Sequence, residues 1–135
     1  MSHTKKVHSV LVVDGDPGVL IFIGRLLDRD GIRGLLARSV TEAIAIASRE
    51  YVPIDLILSN VTSPDVSAAD IVNRVREMRP GLPAVYMSAQ TDEGVIRIDL
   101  MRGDTPAEST GGGKTFLEAI QEALSSRRVL TASRH

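Results

Sequence analysis

Short apolar runs rich in β-branched residues alternate along the chain with longer stretches whose apolar positions recur at helical spacing, the pattern of βα units around a parallel sheet. Residues 10–13 (VLVV) predict a buried strand, after which Asp16 and Pro17 supply an N-cap and a first-turn proline for a helix reaching about Asp30. Val19, Phe22, Ile23, Leu26 and Leu27 form its inner stripe, and Gly31 its stop. A weaker strand is expected over Arg33–Ala37. Ser39 and Glu42 then make an S-x-x-E capping box for a helix with Val40, Ala43, Ile44 and Ala47 on one face, ending before Pro53. Residues 54–59 (IDLILS) predict a buried central strand, followed by the loop NVTSPDV. Ser67 and Asp70 open a third helix with Ile71, Val72, Val75 and Met78 inward and Pro80 beyond its end.

Residues 84–88 (AVYMS) read as a fourth strand, and Thr91 as the cap of a fourth helix over 92–101, which Gly94 weakens by about 1 kcal/mol relative to Ala. Within that span Val95, Ile96, Ile98, Leu100 and Met101 are apolar all round, too many for one buried stripe. Where alternation calls for a fifth strand, residues 103–114 (GDTPAESTGGGK) have loop chemistry, with glycines and a proline and no β-branched run. The last helix is clearer: Thr115 and Glu118 form a capping box, and Phe116, Leu117, Ile120 and Leu124 its apolar stripe.

At 135 residues the chain is long enough for one domain, expected over 1–127 with a C-terminal tail over 128–135. It has no apolar run near the roughly 20 residues that span a bilayer, and its polar start lacks a secretory h-region, so a cytoplasmic location with no membrane partner is expected. The absence of Cys removes disulfides, thiol nucleophiles and thiolate zinc sites. His3, His8 and His135 are too scattered for a metal cluster. A net charge of −1 and 3% aromatic residues argue against nucleic-acid binding.

Two stretches hint at phosphate chemistry. GGGKTF (111–116) ends like a P-loop, but the glycine that motif needs five positions before Gly113 is Glu108, and no strand precedes it. VVDGDPGV (12–19) resembles the first motif of haloacid-dehalogenase-type phosphatases, with Asp14 as nucleophile and Asp16 as general acid. Yet Lys114 follows the acidic stretch GDTPAE, whereas in that family the Lys precedes it, and no cap domain fits the length. This remains the enzyme alternative.

In their order, VLVVDGDPGVLIFIGRLLDRDG (10–31) and IDLILSNVTSPDVSAADIVNRVREMRPGLPAVYMSAQ (54–90) resemble the receiver domain of bacterial two-component response regulators, over residues 7 to about 127. The resemblance implies a flavodoxin-like, doubly wound parallel sheet of five strands in the order 2-1-3-4-5, here with a degraded or irregular fifth strand, and chemistry at the carboxyl ends of the strands. It also assigns positions. Asp14 keeps the first acidic place, Gly15 empties the second, and Asn60 stands at the phosphoacceptor position. Ser88 keeps the switch hydroxyl after strand four, and Lys114 matches the Lys of a Lys-Pro-Phe corner in which Thr115 replaces Pro and Phe116 is kept.

The departures change the expected chemistry. An Asn amide is neutral and a feeble nucleophile, so phosphoryl transfer to Asn60 is not expected. Each lost carboxylate takes away about 4 kcal/mol of charge pairing at 4 Å and an effective dielectric near 20. No Mg²⁺ site, and no other cofactor, is therefore expected beyond Asp14 at most. Asp14 and Asp16 read equally as capping and turn residues or as a residual acidic pocket, Ser88 reads as structural, and Lys114 either pairs with Asp14 or is solvated. The expectation is a non-enzymatic pseudo-receiver that signals by contact with a protein partner, a histidine kinase, an output protein or a second copy, through residues 91–127. Whether it is the N-terminal part of a longer regulator stays open.

Overall fold

A computed structural model describes residues 7–60, 67–101 and 115–133. Its elements are β1 (Ser9–Val13), α1 (Pro17–Arg29), β2 (Arg33–Ala37), α2 (Val40–Ala47), β3 (Leu56–Asn60), α3 (Ala68–Met78), β4 (Ala84–Asp92), β5 (Val95–Met101) and α4 (Phe116–Ser133). They build one five-stranded sheet in the order β2-β1-β3-β4-β5. The first four strands are parallel, with Val12 of β1 opposite Leu36 of β2 and Leu58 of β3, and Asn60 of β3 opposite Met87 of β4.

Strand alternation sorts the side chains into two cores. Val10, Val12, Leu56, Leu58, Val85 and Met87 face α1 and α4, while Leu11, Val13, Ile57 and Tyr86 face α2 and α3. The helices start where short polar side chains can take up their free N–H groups. Asp16 accepts from Gly18, Ser39 from Glu42, Ser67 from Asp70 and Thr115 from Glu118. The box closes at α4, where the Glu118 carboxylate accepts the Thr115 N–H; at α2 the Glu42 carboxylate reaches one residue past the cap and accepts the Arg38 N–H. At the far end of the sheet, Asp55 accepts the N–H of Ser9 and ties the start of β3 to β1. Two inner positions expected of the stripes lie outward instead: Phe22 and Met78 are exposed, because the cores close on Val19, Leu20, Ile23 and Leu27 in α1 and on Ile71, Val72 and Val75 in α3.

The main correction falls on residues 91–101. The predicted fourth helix does not form; β4 runs on through Asp92, turns at Glu93-Gly94 and returns as β5, antiparallel, with Asp92 opposite Val95 and Tyr86 opposite Met101. Both turn residues have positive φ, 52° at Glu93 and 80° at Gly94, as a two-residue type I′ hairpin requires. The burial of β5 has period two: Ile96 and Ile98 are half-buried and Leu100 is buried on the α4 side, while Val95, Arg97 and Asp99 are exposed. A helix would have scattered these apolar residues around its surface, whereas a strand delivers them to one core. The sheet is thus mostly parallel, and its fifth strand lies at 95–101, ahead of the segment 103–114 where alternation placed it. That segment lies outside the described residues. The backbone stays helical past Arg127, through Ser133.

Candidate functional site

β1 and β3 are neighbours in the centre of the sheet, so the residues at their carboxyl ends, Asp14 and Asn60, come side by side. The Asp14 N–H donates to the carbonyl of Ala37 at 3.1 Å, which extends the β1–β2 ladder by one step and points the carboxylate inward, leaving it 4% exposed. One carboxylate oxygen, Oδ1, accepts the Asp16 N–H at 2.8 Å. The other, Oδ2, accepts the Asn60 amide Nδ2 at 2.5 Å. A hydrogen bond to an ionised acceptor is roughly twice as strong as one between neutral groups. Asn60 therefore serves Asp14 as a fixed donor where a second carboxylate would repel it.

The other expected residues divide. Asp16 is exposed, and its Oδ1 accepts the N–H of Gly18 at 2.8 Å, the N-cap of α1, so the capping reading holds for it. Gly15 is exposed, and a Cβ added there would meet no atom within 4 Å. Ser88, the last residue of the expected fourth strand, lies well within β4, half-buried and opposite Asp99 of β5, because the hairpin carries the strand four residues further. Lys114 lies outside the described residues. No group of three His, Cys, Asp or Glu among the described residues could hold a metal ion, and no helix among them is long and apolar enough to cross a membrane.

One feature of the site has no signal in the sequence. Ser59, fully buried beside Asn60, has a hydroxyl without a hydrogen-bond partner among the described residues. Its neighbours across the sheet, Val13 and Tyr86, belong to the apolar core against α2 and α3. In the run IDLILS it is simply the last strand residue before Asn60, with nothing to mark an unpartnered hydroxyl.

Comparison with known proteins points one way. The chain is 32% identical over 89 residues to the transcriptional regulatory protein GlrR of Escherichia coli, an alignment that takes in 66% of this chain and 19% of that protein. It is 33% identical over 82 residues to the DNA-binding transcriptional regulator NtrC of a Bradyrhizobium, covering 61% of this chain and 17% of the relative. The chain thus spans about a fifth of the length of these curated relatives. A solved CheY-like response regulator receiver domain from Methanospirillum hungatei superposes with a TM-score of 0.65 at 18% identity, over 91% of this chain and 98% of that one. No protein-family model matches the chain. The fold is the flavodoxin-like receiver fold, and the homologues and structural neighbours are response regulators and receiver domains.

Proposed function

We propose that this chain is a receiver-like module of two-component signalling that acts by protein–protein contact and is not phosphorylated on a β3 carboxylate. The observation that carries this reading is the Asn60 amide donating to Asp14 at 2.5 Å. Attack on a phosphohistidine needs an ionised oxygen nucleophile, and an amide whose nitrogen is directed at Asp14 supplies none. Mg²⁺ does not fit the donor set either. It wants hard anionic oxygens in a near-octahedral array, but both Asp14 oxygens already accept hydrogen bonds, Asp16 caps α1 and Gly15 has no side chain.

The phosphatase alternative is not favoured by the same geometry. Its nucleophile would be a carboxylate 4% exposed with both oxygens engaged, and its general acid a residue committed to a helix cap. The receiver-like unit is taken as residues 1–127. Its partner is a histidine kinase or an output protein, met through the region 91–127, of which β5 and the start of α4 are described. Ser88 and Lys114, the switch-equivalent positions, carry no phosphoryl-dependent movement in this reading. Incubation with acetyl phosphate and Mg²⁺ is expected to leave the intact mass unchanged. A single phosphoryl adduct mapping to the Asn60 peptide overturns the proposal.

A further inference from the structure

The strand next to the site does not stop where the site does. Asn60, the last residue of β3, lies opposite Met87, and β4 continues through Ser88, Ala89, Gln90, Thr91 and Asp92 before it turns at Glu93-Gly94. β5 returns beside it from Val95, with Asp99 opposite Ser88. At a rise of about 3.4 Å per residue this two-stranded ribbon reaches about 17 Å beyond the end of β3. β1 and β2 stop one step short of Asn60, at Val13 and Ala37. The ribbon therefore stands alone past the carboxyl ends of the other strands, one strand spacing from Asn60.

It is also held there. Ala89, Ile96 and Ile98 pack against the α1–α4 core, as do Phe116 and Leu117 in the first turn of α4. That support extends to the Thr91–Ile96 pair, one step from the closing pair Asp92–Val95. The opposite side of the ribbon carries Gln90, Asp92, Val95, Arg97 and Asp99, all exposed.

We propose that the β4–β5 ribbon excludes from the Asp14–Asn60 site a phosphohistidine presented on a helix of a folded protein, while leaving the site open to a small phosphodonor. Helices cover both faces of the sheet, so a donor reaches the ends of β1 and β3 only along the strand direction. Neighbouring strands lie about 4.8 Å apart. A helix with its side chains is about 10–12 Å across, so one set down over Asn60 extends about 5–6 Å to each side of its axis and runs into the ribbon. A small donor has no such girth. The inference rests on the receiver-like reading of the site and deepens it. Asn60 removes the nucleophile, the ribbon removes the docking place above it, and contact with a protein partner passes to the ribbon's flank.

A site able to accept a phosphoryl group is needed for the test, and Gly15→Asp combined with Asn60→Asp supplies its carboxylates. In that double variant the introduced β3 carboxylate attacks phosphorus, the P–N bond of the donor breaks and the leaving nitrogen takes up a proton. With Mg²⁺ and intact-mass detection, it is expected to gain one phosphoryl group from phosphoramidate and none from a phosphorylated histidine-phosphotransfer domain. Deleting residues 89–92 and 95–98 from it leaves Ser88 and Asp99, already a pair, to close the Glu93-Gly94 turn. Transfer from the histidine domain is then expected to rise about a hundredfold or more, the scale of a reacting group moved from a wrong position to a right one. A milder deletion of 91, 92, 95 and 96 keeps Ala89 and Ile98 on the core and is expected to give a smaller gain, and phosphorylation by phosphoramidate reports that each shortened form is folded. Transfer from the histidine domain to the unshortened double variant as fast as to the shortened forms overturns the proposal, as does the absence of a gain in both shortened forms or a failure of phosphoramidate to react with the double variant. The parent chain with acetyl phosphate tests the earlier reading separately, and neither experiment decides the other.

Discussion

Replacing Asn60 by Asp changes one amide to a carboxyl and tests the site directly. The parent contact is a charge-assisted hydrogen bond from Nδ2 to Asp14 at 2.5 Å, of a kind that contributes about 1.5–3 kcal/mol. In Asn60→Asp two carboxylates meet there instead. At about 4 Å and an effective dielectric near 20 they repel by about 4 kcal/mol. Protonating one of them at pH 7 costs a similar amount, about three pH units at 1.36 kcal/mol each, which sets a ceiling on the penalty. A loss of about 3–4 kcal/mol in unfolding free energy at pH 7 is the expected result, measured from urea midpoints without divalent ions. The paired carboxyl has a folded pKa above its unfolded value of about 3.9. The deficit is therefore absent below that value, grows as pH rises toward the folded pKa, and is constant above it. Adding Gly15→Asp, which the open space at Gly15 accommodates, supplies another anionic oxygen, and millimolar Mg²⁺ is expected to recover the lost stability in the double variant. An Asn60→Asp protein as stable as the parent at pH 7 without metal, or equally weakened at pH 4, would refute the electrostatic account.

Two further outcomes follow from other parts of the fold. Glu93 holds φ at 52° in the hairpin turn, where Asn is better suited, so Glu93→Asn is expected to raise stability by about 0.5–1 kcal/mol in thermal or urea unfolding; a loss would count against the type I′ turn. The Glu42 carboxyl is held below its ordinary pKa, first by the hydrogen bond from the Arg38 backbone N–H and then by the Arg38 charge. Its contribution is complete above the unfolded carboxyl value and is lost as pH falls through the lowered folded value, a window that a carbon-detected NMR titration of Glu42 locates; a titration at or above the ordinary Glu value would contradict it.

Much of this architecture is legible in the sequence because local chemistry and long-range packing agree. Asp16-Pro17, Ser39 with Glu42, Ser67 with Asp70 and Thr115 with Glu118 start helices where their side chains can reach backbone N–H groups, and each does so. Residues 91–101 misled because the expectation of another βα unit outweighed the local pattern. Ile96, Arg97, Ile98, Asp99 and Leu100 alternate with period two behind an Asp-Glu-Gly turn, which is a hairpin signal once Gly94 is read as a left-handed turn residue instead of a weak helix position. At the site, the resemblance assigned Asp14 to the end of the first strand and Asn60 to the end of the third, but no sequence rule says that the two side chains meet, which amide atom faces the carboxylate or how Asp16 divides between cap and pocket. Those outcomes depend on the backbone path after β1, which the Asp14–Ala37 hydrogen bond sets.

The hairpin also alters how the sheet can assemble. Each parallel neighbour must wait for a helix-length connection to close, whereas β5 reaches β4 across only Glu93 and Gly94, so that pairing has a very small loop-closure entropy. Hairpins zip in microseconds, well before crossover strands find their register. Residues 84–101 can thus form as a local unit on the unfinished chain, one side of which still has to await β3, and the last strand in space need not be the last in time.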